Sequence, residues 1–159
     1  MSQTLIFLSL LPIIFVGIAR IFNVNRFLVP IIPISIYLII LSLLLIEFDI
    51  KEISFAFLNI GDNTIHLVFS FMSSNTLMSE VVLLISILVL LYSYKFIDSE
   101  ENKSFARYFL YLTIFISSMI LFTFSYDLFS SFVFWEILGF SSYFLIGFWN
   151  KDSETIKSS

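Results

Sequence analysis

Apolar residues gather along the chain into five runs, approximately 4–22, 28–47, 76–97, 104–125 and 128–149. Each is close to the roughly 20 residues a helix needs to cross a bilayer. Pro12 falls inside the first run, and Pro30 and Pro33 open the second, where a missing N–H costs little. Between the second and third runs the pattern changes. In "IKEISFAFLNIGDNTIHLVFSF" apolar and polar residues partly alternate on both sides of Gly61-Asp62-Asn63, a strong turn signal. This predicts a β-hairpin over about 51–71, lying outside the bilayer, and not a sixth span. No repeat at a solenoid period and no low-complexity linker breaks the pattern. The expectation is an all-α integral membrane protein, a single membrane domain over 1–159 with about five transmembrane helices and one hairpin between helices two and three.

Composition agrees. Of 159 residues 59% are hydrophobic, beyond the roughly 45–50% of soluble domains, and the mean hydropathy is +1.03. There is no Cys and a single His, which excludes iron–sulfur clusters, thiolate-ligated haem, disulfides and clustered metal sites. Chemistry in this chain is left to carboxylates, amines, hydroxyls and water. The net charge of −4 offers nothing to nucleic acid. The opening "MSQTLIFLSLLPIIFVGIARIF" has neither a basic signal-peptide leader nor an Arg-rich transit pattern, and reads as a first span that stays in the mature protein.

With five spans, Arg20, Arg26, Lys95, Lys103, Arg107, Lys151 and Lys157 share one side, seven of the eight basic residues, and Lys51 lies opposite. The positive-inside rule then puts the carboxyl terminus on the matrix or cytoplasmic side. Most acids sit at span ends or in loops: Asp98, Glu100, Glu101, Asp152 and Glu154 read as solvated, and Glu47, Asp49, Glu52 and Asp127 as interfacial charges. His66 falls in the hairpin without nearby ligands. Glu80, about one turn inside the third run, is a possible functional residue. Glu136 differs from all of these. It stands roughly 12 Å into the fifth run at 1.5 Å per residue, too deep to snorkel, and an ionised carboxylate there costs about 2.5–3.5 kcal/mol or more. It must be protonated, paired or facing water. Gly139 and Gly147 on its face permit close helix approach, Tyr143 brings a hydroxyl two turns away, and Ser141 and Ser142 add hydroxyls that hold water. That pattern predicts an interior position.

The words around Glu136 also match a family. "WEILGFSSYFLIGFW" resembles the fifth-helix signature of subunit 5 of respiratory complex I, the antiporter-like subunit of NADH:ubiquinone oxidoreductase. Upstream, "ARYFLYLTIFISSMILF" resembles its fourth helix and "LMSEVVLLISILVLLYSYKFI" its third, so the likeness covers 77–149. The resemblance implies a membrane-arm subunit contributing to proton translocation coupled to electron transfer. In it Glu136 belongs to the proton path as charge partner of a lysine on a later, broken helix, with Trp135, Gly139, Ser142 and Tyr143 in support. It also implies that flavin and iron–sulfur clusters sit on other subunits, with no cofactor or metal in this chain. Implied partners are the other membrane-arm subunits and lipids. The implied location is the mitochondrial inner membrane, with the bacterial cytoplasmic membrane as alternative.

Some positions depart from the family's usual pattern. Phe134 replaces a Gly, Asp127 an Asn, Phe71-Met72 a Leu-Asp pair, and Leu90 a His. Family members have well over a dozen helices, and all five lysines here lie in or beside loops. The expectation is therefore a split subunit whose remainder, with the partner lysine, is a separate chain. Two other readings stand: a cation/proton antiporter subunit of the Mrp type, or a structural membrane subunit that no longer pumps.

The charge bias makes orientation testable. Protease added to the matrix or cytoplasmic face is expected to cut the 98–106 loop and the tail, and the hairpin only from the opposite face. Cleavage of the hairpin and the 98–106 loop from one face would contradict five spans.

Overall fold

The computed structural model describes residues 2–22, 24–46, 52–60, 63–97 and 102–149. The predicted turn residues Gly61 and Asp62, the acids Glu47, Asp49, Asp98, Glu100, Glu101, Asp152 and Glu154, and the basic residues Lys51, Lys151 and Lys157 lie outside them. In chain order the elements are α1 (Ser2–Phe22), α2 (Leu28–Ile46), β1 (Glu52–Ile60), β2 (Asn63–Ser70), α3 (Ser73–Phe96), α4 (Asn102–Phe124) and α5 (Leu128–Ile146). A single 3-10 turn, Gly147–Trp149, follows α5. All five helices are long and apolar enough to cross a membrane.

Three boundaries move from the sequence expectation. α3 begins at Ser73 and α4 at Asn102, because polar residues ahead of each apolar run still take helical backbone. The fifth run is helical only to Ile146, where Gly147 starts the tighter turn. Arg107 lies inside α4.

α4 is the centre of the bundle, packing against α1, α2, α3 and α5. Phe105, Phe109, Leu112, Ile116 and Ile120 of α4 are buried, among Val16 of α1, Tyr37 and Ile40 of α2, and Leu83 and Leu90 of α3. A polar contact fixes three helices at once. Ser117 of α4 donates its hydroxyl to the Ser9 carbonyl of α1 at 2.6 Å, near Pro12, where α1 has lost a backbone donor. With its own proton so used, Ser117 Oγ accepts from Tyr37 of α2 at 3.0 Å, and the Tyr37 hydroxyl also reaches the Thr113 carbonyl at 3.3 Å.

α5 is held differently. It packs on α4 and β2, and three aromatic pairs run down the α4–α5 seam: Phe122 with Trp135 (5.8 Å between ring centroids), Tyr111 with Phe144 (5.2 Å) and Tyr108 with Phe148 (5.2 Å). Such pairs contribute about 0.5–1.5 kcal/mol each beyond burial. Of its own residues only Ser130, Phe134 and Ser141 are buried.

The hairpin pairs Ile53 with Phe69 and Phe55 with Leu67, so those four side chains share one face, and a register shift between Ala56 and Leu58 interrupts the ladder. That face lies against helix ends: Phe55 meets Phe7 of α1 at 6.3 Å and Phe69 meets Phe134 of α5 at 5.7 Å. The opposite end of the bundle holds Arg26, which donates to the Ile97 carbonyl at 2.8 Å and so joins the start of α2 to the end of α3.

The Tyr37–Ser117–Ser9 contact predicts unequal costs. Tyr37→Phe removes one shared donor and should cost about 0.6 kcal/mol, the average for hydrogen bonds between membrane helices. Ser117→Ala removes both contacts at once and should cost about twice that. Thermal unfolding in detergent reads both; equal, negligible shifts would show that packing alone holds these helices.

Candidate functional site

The start of α5 is tied to the hairpin. Asp127 is its N-cap, with extended backbone, and its Oδ2 accepts from the Ser130 N–H at 3.0 Å. Its Oδ1 accepts from the Val68 N–H of β2 at 3.0 Å and from the Ser130 hydroxyl, and the same Val68 N–H lies 2.9 Å from Ser130 Oγ. The Val68 carbonyl accepts from the Tyr126 N–H at 2.9 Å. Both backbone groups of Val68 are therefore used by the α4–α5 turn. Burial pushes the Asp127 carboxyl up, but the Ser130 and Val68 hydrogen bonds outweigh it and hold the group below its ordinary value. The sequence reading of Asp127 as an interfacial charge missed this; the available signal was an Asp just ahead of an apolar run.

From that fixed start, Glu136 falls eight residues on, about 12 Å along the axis, and about 15 Å from Ile146. It is exposed. Phe132, Glu136, Gly139, Phe140 and Tyr143 follow helical spacing on one face and all are exposed. The expected interior position is not reached within the described residues. Gly139 and Gly147 have open space where a side chain would project, so no described helix closes on them. Two recesses flank Glu136. One of about 380 Å³ is lined by Trp135, Glu136, Gly139, Phe140 and Tyr143; the other, about 310 Å³, by Phe122, Leu128, Ser131, Phe132, Trp135 and Glu136. Neither lining includes a cation.

The supporting residues divide. Trp135 (61% exposed) packs on Phe122 with the rings tilted by 57° and lines both recesses, and Tyr143 (71% exposed) lines the larger one together with Glu136. Ser141 and Ser142 turn their hydroxyls back to Leu138 and Gly139 carbonyls of their own helix, at 2.9 and 2.8 Å, not towards a shared water site. Phe134, where the family pattern has Gly, is buried on the opposite side of α5 against Phe69 and does not line either recess.

Glu80 is elsewhere. Because α3 begins at Ser73, it lies about 10 Å inside the helix and not 6 Å. It is half-buried, and its Oε1 is enclosed with no hydrogen-bond partner among the described residues. His66 contacts Thr64 on the exposed side of the hairpin. Among the described residues no group of three His, Cys, Asp or Glu side chains could hold a metal ion.

Comparison with known proteins adds the family. No family model matches the chain. Curated relatives do: it is 35% identical over 109 residues, 69% of its length, to NAD(P)H-quinone oxidoreductase subunit 5 of the Paulinella chromatophora organellar chromatophore. It is 39% identical over 75 residues, 47% of its length, to the chloroplastic subunit 5 of Chara vulgaris and, over the same length, to chain 5 of a Picosynechococcus species. The chain is a relative of subunit 5 of NAD(P)H-quinone oxidoreductase. It spans 16% of the Paulinella protein and 11% of each of the other two. Subunit 5 in these relatives is chloroplastic, chromatophore-borne or cyanobacterial, which gives the mitochondrial expectation no support.

The Asp127 junction yields a prediction. Asp127→Ala should cost about 1 kcal/mol as a lost helix cap, with local exposure of the Val68 amide, whereas Asp127→Asn, which keeps an acceptor, should be milder. Since the folded carboxyl titrates below its unfolded value of about 3.9, its contribution is fully present above that pH and is lost as pH falls through the lowered folded value. Hydrogen-exchange protection at Val68 should therefore be flat around neutrality and fall only in acid. Unchanged protection in Asp127→Ala would contradict the junction.

Proposed function

We propose that the chain supplies five membrane helices of the antiporter-like subunit 5 in the membrane arm of a complex I-like NAD(P)H-quinone oxidoreductase, and that Glu136 takes part in its proton translocation. The observation that carries the reading is a carboxylate at mid-span on a helix face that the described bundle leaves open. Hydrocarbon cannot cover such a group without a cost of about 2.5–3.5 kcal/mol or more. Protein therefore covers it, from the subunit segments beyond this sequence, on the same or a separate polypeptide. A cation there, as the family likeness implies for a lysine, would compensate the charge.

The chemistry follows from electrostatics. An ionised Glu136 raises the proton affinity of a nearby lysine, and separating the pair lowers it, because opposite charges favour each other's charged forms in a weakly screened interior. Movement of the pair then loads and releases a proton. The redox reaction belongs to flavin and iron–sulfur centres on other subunits, in keeping with a chain that has no Cys. A cation/proton antiporter would use the same face, and sodium flux in vesicles separates it from the proton reading. The relatives' names favour a plastid or bacterial membrane over a mitochondrial one.

Glu136→Gln keeps the volume and much of the hydrogen bonding while removing the charge. In reconstituted membranes it should leave the complex at normal abundance with clearly reduced proton translocation, each pKa unit lost at the partner lysine being worth about 1.4 kcal/mol. Glu136→Asp should be milder. Unchanged proton-to-electron stoichiometry in the Gln variant would leave Glu136 a packing residue and favour the structural reading.

A further inference from the structure

Three arginines, Arg20, Arg26 and Arg107, mark the end of the bundle away from the hairpin, and the last two are treated differently. Arg26 is used inside the protein, donating to the Ile97 carbonyl and lying 4.4 Å over the Phe105 ring. Arg107 has the ring but no acceptor among the described residues. Its guanidinium carbon sits 5.3 Å from the centroid of Phe148, itself buried and in edge contact with Tyr108, so the planar group is held in place by stacking. Its Nε is enclosed with no hydrogen-bond partner among the described residues. The residue is half-buried and belongs to the apolar stretch Ser104–Phe124, three residues in, about 5 Å below its start.

A guanidinium at that depth needs an anion. The four acids among the described residues are elsewhere: Glu52 and Asp127 at the hairpin end, Glu80 within two turns of it, and Glu136 at mid-span. Lys95 and Arg20, both exposed in the last turns of α3 and α1, add positive charge at the Arg107 end. Depth selects the ligand class. A charge a few ångströms inside the hydrocarbon boundary lies within reach of lipid phosphates, and a guanidinium fork matches a phosphodiester with two parallel N–H···O bonds. Exposed Ile146, two residues before Phe148, and Ile21 and Phe22 at the end of α1 offer apolar surface for acyl chains at the same level.

We propose that Arg107, stacked on Phe148, binds the phosphate of an anionic membrane phospholipid. The test is photolabelling of the assembled complex in phosphatidylcholine vesicles containing a photoactivatable phosphatidylglycerol, with labelled peptides mapped by mass spectrometry. Peptides covering 102–111 and 144–149 should be labelled, and excess unlabelled phosphatidylglycerol should compete where phosphatidylcholine and inorganic phosphate do not. Arg107→Gln should lower labelling about fivefold, the effect of one basic residue near an anionic surface; Arg107→Lys and Lys95→Gln should each lower it less. Should Arg107→Gln fail to assemble, competition in the unmodified complex still decides. Equal labelling by a phosphatidylcholine probe, full labelling in Arg107→Gln, or displacement by inorganic phosphate would overturn the proposal. So would the absence of label from both peptides, which would give the anion to a protein carboxylate.

Discussion

Hydrocarbon does not solvate a carboxylate, and the structure turns on where that constraint falls. Glu136 projects from mid-span on the open side of α5, among exposed aromatic residues and a glycine with space above it. The open side of α3 is chemically different: Leu77, Met78, Val81, Leu84, Ile85 and Leu88 form an aliphatic surface suited to lipid. Two faces of one bundle are equally uncovered, and only one carries a group that lipid cannot accept. The distinction between a lipid-facing and a protein-facing helix is therefore made by a single side chain and its neighbours.

Such a group can act on a partner only if its position is defined, and the rest of the fold defines it. α4 is locked centrally by buried aromatic residues and by the Ser117 contacts to α1 and α2. Two aromatic pairs, with a third at the 3-10 turn that follows, then fix the rotation of α5 on α4. Asp127 fixes its height by tying the first turn to Val68 of the hairpin. Rotation and height together place Glu136, although its carboxylate has no hydrogen bond or ion pair among the described residues. The hairpin is thus part of the support of the site as well as a cap over the helix ends.

Much of this fold was legible in the apolar runs, because spans of that length have few alternatives to helix, and the alternation around Gly61 marked the hairpin. Helix ends were less legible. Ser73, Ser74 and Asn75 look like loop by polarity yet are helical, since backbone bonding at Thr76 to the Met72 carbonyl and the Asn75 amide on the Ser70 carbonyl stabilise that start. Asp127 was misread because its partner, Val68, is 59 residues away in sequence. For Glu136 the depth was readable and the direction was not. Gly139 marks an open position on that face, but a single sequence does not say whether a helix that closes on it lies among its own first five.

On the proposed reading protein, and not lipid, covers the outer face of α5. A photocrosslinking benzoylphenylalanine in place of Tyr143, with a second in place of Leu84 on α3 as reference, tests it directly in the assembled membrane complex. The account predicts that position 143 crosslinks to a protein segment and position 84 to lipid. Lipid adducts at both positions would contradict it.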